Sequence, residues 1–139
     1  MSDERDVYAD LAERMAATAF YPWIGFTIVS ARKGEVEIAM DAKPHHLNVQ
    51  GLVHGGVIAT MLDSAAGMSV RTALGEGRRH VTAQLSVNYL TPASPGRLVA
   101  RGSAVRVGVS IAYAESEVVD ERRRVVAKAT AVISVMPAR

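Results

Sequence analysis

The sequence predicts an α+β domain in which an antiparallel sheet wraps one buried helix, and three observations predict it. An apolar run over residues 57–74, rich in small side chains (Ala59, Ala65, Ala66, Gly67), is too long for a strand and suits a helix packed on most sides. Strand patterns flank it, two before and four after. Those four follow one another without intervening helices, which points to hairpins and not to a parallel sheet.

Taken in order, Asp3 stands as N-cap of a helix over 4–17, inside an N-terminal helical segment 1–19. Acids in its first turn suit the helix dipole, and Val7, Tyr8, Leu11, Ala12 and Met15 form one apolar stripe. Tyr21-Pro22-Trp23 breaks that helix, and residues 24–40, with a turn at Lys33-Gly34, read as a two-strand hairpin. A loop through Lys43-Pro44-His45-His46 leads to the central helix, within 54–75. After Gly75-Glu76-Gly77 the period becomes two: Val81, Ala83, Leu85, Val87 and Tyr89 face one way, Thr82, Gln84, Ser86 and Asn88 the other. A turn at 91–96 leads to a strand over 98–107, a reversal near Gly108, and a strand over 110–119. The turn Asp120-Glu121-Arg122-Arg123-Arg124 precedes a last strand with Val125, Ala127, Ala129, Ala131, Ile133 and Val135 on one face. The four strands fill 80–136, in a single domain 1–139 with no internal repeat.

Composition removes several function classes. With 49% apolar and 22% charged residues the chain is an ordinary globular one, not a disordered one. Sixteen Lys and Arg against 14 Asp and Glu give only +2, no dense basic patch, so no nucleic-acid partner is expected. The absence of cysteine excludes disulfides, Cys-ligated zinc and thiol nucleophiles. The acidic start lacks the basic and apolar regions of a secretory signal, and the stretch 44–70 is broken by polar residues, so a cytoplasmic protein with no membrane partner is expected.

From 44 through 70, Asp63 is the only formally charged side chain, midway along the helix. A buried carboxylate has either a hydrogen-bonded structural role or a chemical one, and the alternative is a solvent stripe shared with Thr60 and Ser64. His54-Gly55-Gly56 stands at the helix start, where backbone N–H groups lack helical partners and no Cβ obstructs approach: either an oxyanion site or a loop that needs glycine dihedrals. It is not a P-loop, since no Lys-Ser or Lys-Thr follows. Gly55 and Asp63 are eight residues apart, roughly 12 Å along a helix at 1.5 Å per residue. If the two act together, the carboxylate comes from a second, antiparallel copy of the helix, and a homodimer is required.

The stretch His46-Leu47-Asn48-Val49-Gln50-Gly51-Leu52-Val53-His54-Gly55-Gly56-Val57-Ile58-Ala59-Thr60-Met61-Leu62-Asp63, followed by Asn88-Tyr89-Leu90-Thr91-Pro92, resembles the hotdog-fold acyl-CoA thioesterases of the PaaI-like and acyl-CoA thioesterase 13 type, across essentially the whole domain. The resemblance implies hydrolysis of an aryl-, phenylacetyl- or medium-chain acyl-CoA without metal or cofactor, in a homodimer that pairs into a homotetramer. By it, Gly55 N–H polarises the thioester carbonyl, with Gly56 beside it on the substrate. Asp63 of the partner subunit is general base or nucleophile, Asn48 orients water or thioester, Thr82 positions the water, and His54 supports. The CoA arm runs along Tyr89, Leu90, Thr91 and Pro92 and along Arg106, Val107, Gly108, Val109 and Ser110.

Arg106-Val107-Gly108 departs from the Gly-Arg pair of the family, so phosphate contacts fall to Arg71, Arg101 or Arg122 to Arg124, unless these are solvated turn residues. Tyr21, Pro22 and Trp23 either cap the acyl pocket or anchor packing. Hydration is disfavoured because Met68 stands where the related hydratases carry a histidine. His45, His46, His54 and His80 make a poor metal site, and no nucleophile elbow supports a serine triad. The non-enzymatic alternatives are an acyl-CoA-binding module and a purely structural self-associating domain.

Overall fold

The computed structural model describes residues 4–138, so the Asp3 cap lies outside the described residues. Helix α1 (Glu4–Ala16) buries Leu11 and Met15, while Tyr8 turns to solvent and leaves the expected stripe. The break at residues 21–23 is itself a short helix, α2 (Phe20–Ile24). Pro22 fits there because the first turn of a helix has no use for its missing N–H. Gly25, at φ 90°, ends α2, so the hairpin begins three residues later than expected: β1 (Thr27–Arg32) and β2 (Glu35–Asp41). Pro44–His46 forms a single 3-10 turn, and α3 (Gly55–Ala73) is the central helix. Then come β3 (Arg78–Tyr89), β4 (Arg97–Val107), β5 (Ile111–Val119) and β6 (Val125–Pro137).

All six strands join one antiparallel sheet in the order β1-β2-β4-β5-β6-β3, so β1 and β3 are its edges. Met61, Leu62 and Ala65 of α3 are buried against Ile38, Met40, Leu98, Val118 and Val126, and α1 joins this cluster. Ala66 and Val70 meet Ala112, Ala114, Ala131 and Ile133 further along. Each large side chain so buried contributes about 1.5–3 kcal/mol. The helix backbone lies directly on β4: a Cβ on Gly102 would sit 2.0 Å from the Ala65 carbonyl oxygen. Buried Ser116 donates to the Leu62 carbonyl (2.9 Å), satisfying the only polar side chain β5 sends beneath the helix that is buried.

Register shifts interrupt strict alternation in four strands, β1, β3, β4 and β6, and those in β3 and β6 change the expected faces. In β3, Ala83 is an extra residue between the Thr82–Ile133 and Gln84–Val132 pairs, a β-bulge that reverses the phase. Val81 and Ala83 are therefore exposed, contrary to expectation, and Thr82 points inward, while Leu85 and Val87 face the core as expected. In β6 the register shift opposite Val118 and Val119 buries Val126 beside Ala127.

Candidate active site

Four N–H groups at the start of α3, those of His54 to Val57, precede the first regular helical bond; that of His54 reaches the His46 carbonyl (2.8 Å), and His54 accepts from two of the others. Its carbonyl accepts from Val57 (2.9 Å) and Ile58 (3.2 Å), and its Nδ1 accepts from Gly56 N–H at 2.8 Å. Gly55 N–H is left without an acceptor among the described residues. This imidazole acts as the helix cap, so its Nδ1 is the unprotonated nitrogen. A Cβ at residue 56 would crowd that ring at 3.0 Å, which explains the second glycine.

Gly55 opens into a groove of about 270 Å³ lined by Asn48, Leu52, Val53, Ile58 and the run Tyr89 to Ala93. The structure thus brings together Asn48, Gly55, Tyr89, Leu90, Thr91 and Pro92, six of the residues singled out in the sequence. Asn48 Oδ1 accepts from Gln50 N–H (2.9 Å) and Leu52 N–H (3.2 Å), so the side chain braces its own loop and its amide nitrogen remains for a ligand. Tyr89 donates its hydroxyl to the Gly55 carbonyl at 2.7 Å, a contact with no signal in the sequence. A larger hollow, about 430 Å³, lies on the outer face of the sheet among Arg101, Glu117 and Lys128 and holds neither Gly55 nor Asp63.

Asp63 is half-buried and accepts the Thr82 hydroxyl on Oδ1 at 2.8 Å. It has no ion-pair partner among the described residues. Thr60, Asp63 and Ser64 are all part-exposed on α3, the stripe that the sequence offered as the alternative, while Met61, Leu62 and Ala65 are buried, and the Thr60 hydroxyl turns back to the Gly56 carbonyl (2.8 Å). Two further groups feel the carboxylate. Burial, aided by the Asp63 charge, pushes the Tyr21 phenol up, and burial with the charges of Arg71 and Arg14 pushes His80 down, against the pull of Asp63. His80 packs over Gly67, one turn beyond Asp63, a place that nothing in the sequence marks. Trp23 is 72% exposed, with its ring tilted against Phe20 (centroids 6.2 Å apart), whereas Tyr21 is half-buried and also beside Phe20.

The segment from Arg106 to Ser110 is not brought to the groove. It turns at the opposite end of the sheet, where Val109 accepts from the Arg78 guanidinium and Ser110 from Val135 N–H (2.9 Å). Arg78 and Tyr89 mark the two ends of β3, roughly 35 Å apart at about 3.3 Å per residue. Among the arginines considered for phosphate, Arg71 caps the carboxyl end of α3 through the carbonyls of Gly75 (3.2 Å) and Arg78 (2.7 Å). Arg101 is held by Glu37 and Arg124 by Asp120. Arg122 and Arg123 are exposed on the β5–β6 turn. His46 is buried, with Nδ1 accepting from Lys43 N–H (2.9 Å) and Nε2 meeting the Ile24 carbonyl (2.7 Å). Among the described residues no three His, Asp or Glu side chains converge to hold a metal ion, and no helix is long and apolar enough to cross a membrane.

Comparison with known proteins adds three findings. The family model described as the thioesterase superfamily matches residues 50–127. Among relatives, the medium/long-chain acyl-CoA thioesterase YigI of Salmonella typhimurium is 30% identical over 123 residues, 78% of this chain and 79% of its own. Human acyl-coenzyme A thioesterase 13 is 30% identical over 88 residues, 63% of this chain and 62% of that protein. Among solved structures, the Escherichia coli PaaI protein of the phenylacetic acid degradation operon shares the fold, with TM-score 0.90, 19% identity and coverage of 99% and 98% of the two chains. A Streptococcus mutans protein solved with bound acetyl-CoA superposes with TM-score 0.76 at 32% identity, covering 83% of this chain and 91% of that one.

Proposed function

This chain belongs to the thioesterase superfamily, and from that premise we propose that it hydrolyses acyl-CoA thioesters to free acid and CoA at a site shared between two subunits. The observation that carries the reading is the helix N–H of Gly55, without an acceptor among the described residues, in a groove lined by Asn48 and the Tyr89 to Pro92 run. That donor accepts the developing negative charge of the thioester oxygen, and the dipole of α3 adds to it. Gly56 leaves the approach open, and the Asn48 amide aligns the thioester or the attacking water.

The base comes from the second subunit. Asp63 lies about 12 Å along α3 from Gly55, too far for one carbonyl carbon to reach both. An antiparallel copy of α3 delivers the partner subunit's Asp63 and also carries the partner's 106–110 segment toward the same groove, where it meets the CoA arm. Support comes from β3, a 12-residue edge strand whose outer side is unpaired, with Val81 and Leu90 exposed on or beside it. A long edge of this kind is a ready template for pairing with another strand. A dimer of dimers would repeat the site without changing it.

In the reaction the partner subunit's Asp63 takes a proton from water as the oxygen attacks the carbonyl carbon. The negative charge rests on the carbonyl oxygen at Gly55 N–H, then returns to re-form the carbonyl as the carbon–sulfur bond breaks. The CoA thiolate leaves and recovers the proton from Asp63. Thr82 holds Oδ1 and so leaves Oδ2 for this task, while His54 holds the helix start. Tyr21 and Trp23 border the acyl end.

Thiol release from a panel of aryl-, phenylacetyl- and medium-chain acyl-CoA esters tests this, read with a colorimetric thiol reagent to which a cysteine-free chain gives no background. Turnover is expected for one ester class and is lost in Asp63→Asn. Binding of the esters with no turnover would make the chain a binding module, and absence of both would leave a structural domain.

A further inference from the structure

Two consecutive glycines make the first turn of α3 its most deformable point, since each lacks the Cβ that restricts backbone rotation. An oxyanion donor works only if it is held in place before the charge develops, within about 0.5 Å of its productive position. The peptide that carries this donor, His54 to Gly55, is held on its carbonyl side by Val57 and Ile58 (2.9 and 3.2 Å), which leaves the next peptide as the one still to be fixed. The peptide unit joining Gly55 to Gly56 is gripped at both ends: its N–H donates to His54 Nδ1 at 2.8 Å, and its carbonyl accepts the Tyr89 hydroxyl at 2.7 Å. The Tyr89 ring also lies against Gly55, 3.4 Å from where a Cβ would be.

Tyr89 is a rigid post for this purpose. The two residues after it, Leu90 and Thr91, both donate to the Val126 carbonyl (2.8 and 3.1 Å), which ties the end of β3 to β6. The grip therefore runs from the sheet, through a phenol, to the peptide adjoining the donor. We infer that Tyr89 is a positioning residue, whose hydroxyl sets the orientation of Gly55 N–H by fixing the next peptide from its carbonyl side while His54 fixes it from the other. This rests on the reading of Gly55 as the oxyanion donor and assigns Tyr89 a role beyond lining the CoA groove.

The test is Tyr89→Phe, which keeps the ring and deletes only the hydroxyl. Three quantities are compared with the native protein: kcat and KM for the best acyl-CoA ester, the carbonyl stretch of a bound non-hydrolysable ketone analogue of that ester, and the melting temperature. The expected result is a kcat about tenfold lower, KM within about twofold, and a smaller red-shift of the carbonyl stretch at unchanged melting temperature. Native kcat in the variant, or a lower kcat with the native carbonyl shift, would overturn the inference. A native protein that neither turns over any ester nor shifts the carbonyl would remove the oxyanion reading itself, and the inference with it.

Discussion

Thr82 donates its hydroxyl to Asp63 at 2.8 Å, and it faces Asp63 because β3 contains one residue more than its partner strand. Without the bulge at Ala83, Thr82 would share the outward face of Gln84, and Val81 would stand over the helix. Thr82→Val should leave the fold intact and lower kcat roughly tenfold, with Thr82→Ser recovering most of it, because only a hydroxyl fixes the carboxylate rotamer. Asp63→Asn should cost on the order of a hundred- to ten-thousandfold in kcat. A Thr82→Val enzyme as fast as Thr82→Ser would show that the contact is packing alone.

The same bulge marks the boundary of what the sequence makes legible. Helix, hairpin and the succession of strands along the chain are written in periodicity, and the candidate site motif lies in the run from Asn48 to Asp63, so both are legible in the chain. An inserted residue such as Ala83 leaves no compositional trace, because Val81, Ala83 and Leu85 continue a perfect alternation through it. Pro22 reads as a breaker, yet the first turn of a short helix accommodates it. The Tyr89 to Gly55 contact joins residues 34 apart and was invisible for the same reason as the segregation of the 106–110 segment: both depend on which ends of the sheet meet which end of α3.

Gly102 and Gly67 should respond oppositely to alanine. At 102 a Cβ would meet the Ala65 carbonyl at 2.0 Å and the Ala66 nitrogen at 2.9 Å, backbone atoms that move only if α3 lifts from the sheet. Gly102→Ala is expected to cost about 3–5 kcal/mol, or to prevent folding. At 67 the nearest group is the His80 ring at 3.5 Å, an ordinary contact, and alanine favours helix over glycine by about 1 kcal/mol. Gly67→Ala should therefore be neutral or stabilising, which urea denaturation of the two variants will decide.

His80 gives the protein a specific acid sensitivity. Burial first, then Arg71 and Arg14, hold it below the ordinary histidine value of 6.5, and Asp63 opposes them. The unfolded chain therefore takes up this proton before the folded one does. The contribution to stability is full above pH 6.5 and is lost as pH falls from there toward the native value of His80. The melting temperature of His80→Gln should fall less than that of the native protein over this range. In Asp63→Asn the NMR titration midpoint of His80 should move further down, since its one attractive charge is gone; a midpoint that stays put would deny the coupling.

Arginines already committed to carbonyls or carboxylates should not matter to CoA. Arg101 is bound to Glu37 on the outer face, so Arg101→Ala should leave KM unchanged. Arg106 is exposed and has no ion pair among the described residues. Arg106→Ala should raise KM for a CoA ester about tenfold, the loss of one charged hydrogen bond, and leave KM unchanged for the same acyl group on N-acetylcysteamine. Equal effects on both esters would place Arg106 at the acyl end or in the fold.

The shared site makes a prediction that no single-chain site can satisfy. Asp63→Asn removes the base and Gly55→Val fills the space in front of Tyr89, which has only 3.4 Å to spare, so each homodimer should be inactive alone. In a mixed dimer one site combines the intact Gly55 of the first chain with the partner's Asp63, while the other site carries both lesions. Unfolding and refolding the two variants together in equal amounts yields mixed dimers for about half of the total, each with one working site of two, so about a quarter of native activity should return. If Gly55 and Asp63 served the same site from one chain, every site in the mixture would carry a lesion and no activity would appear.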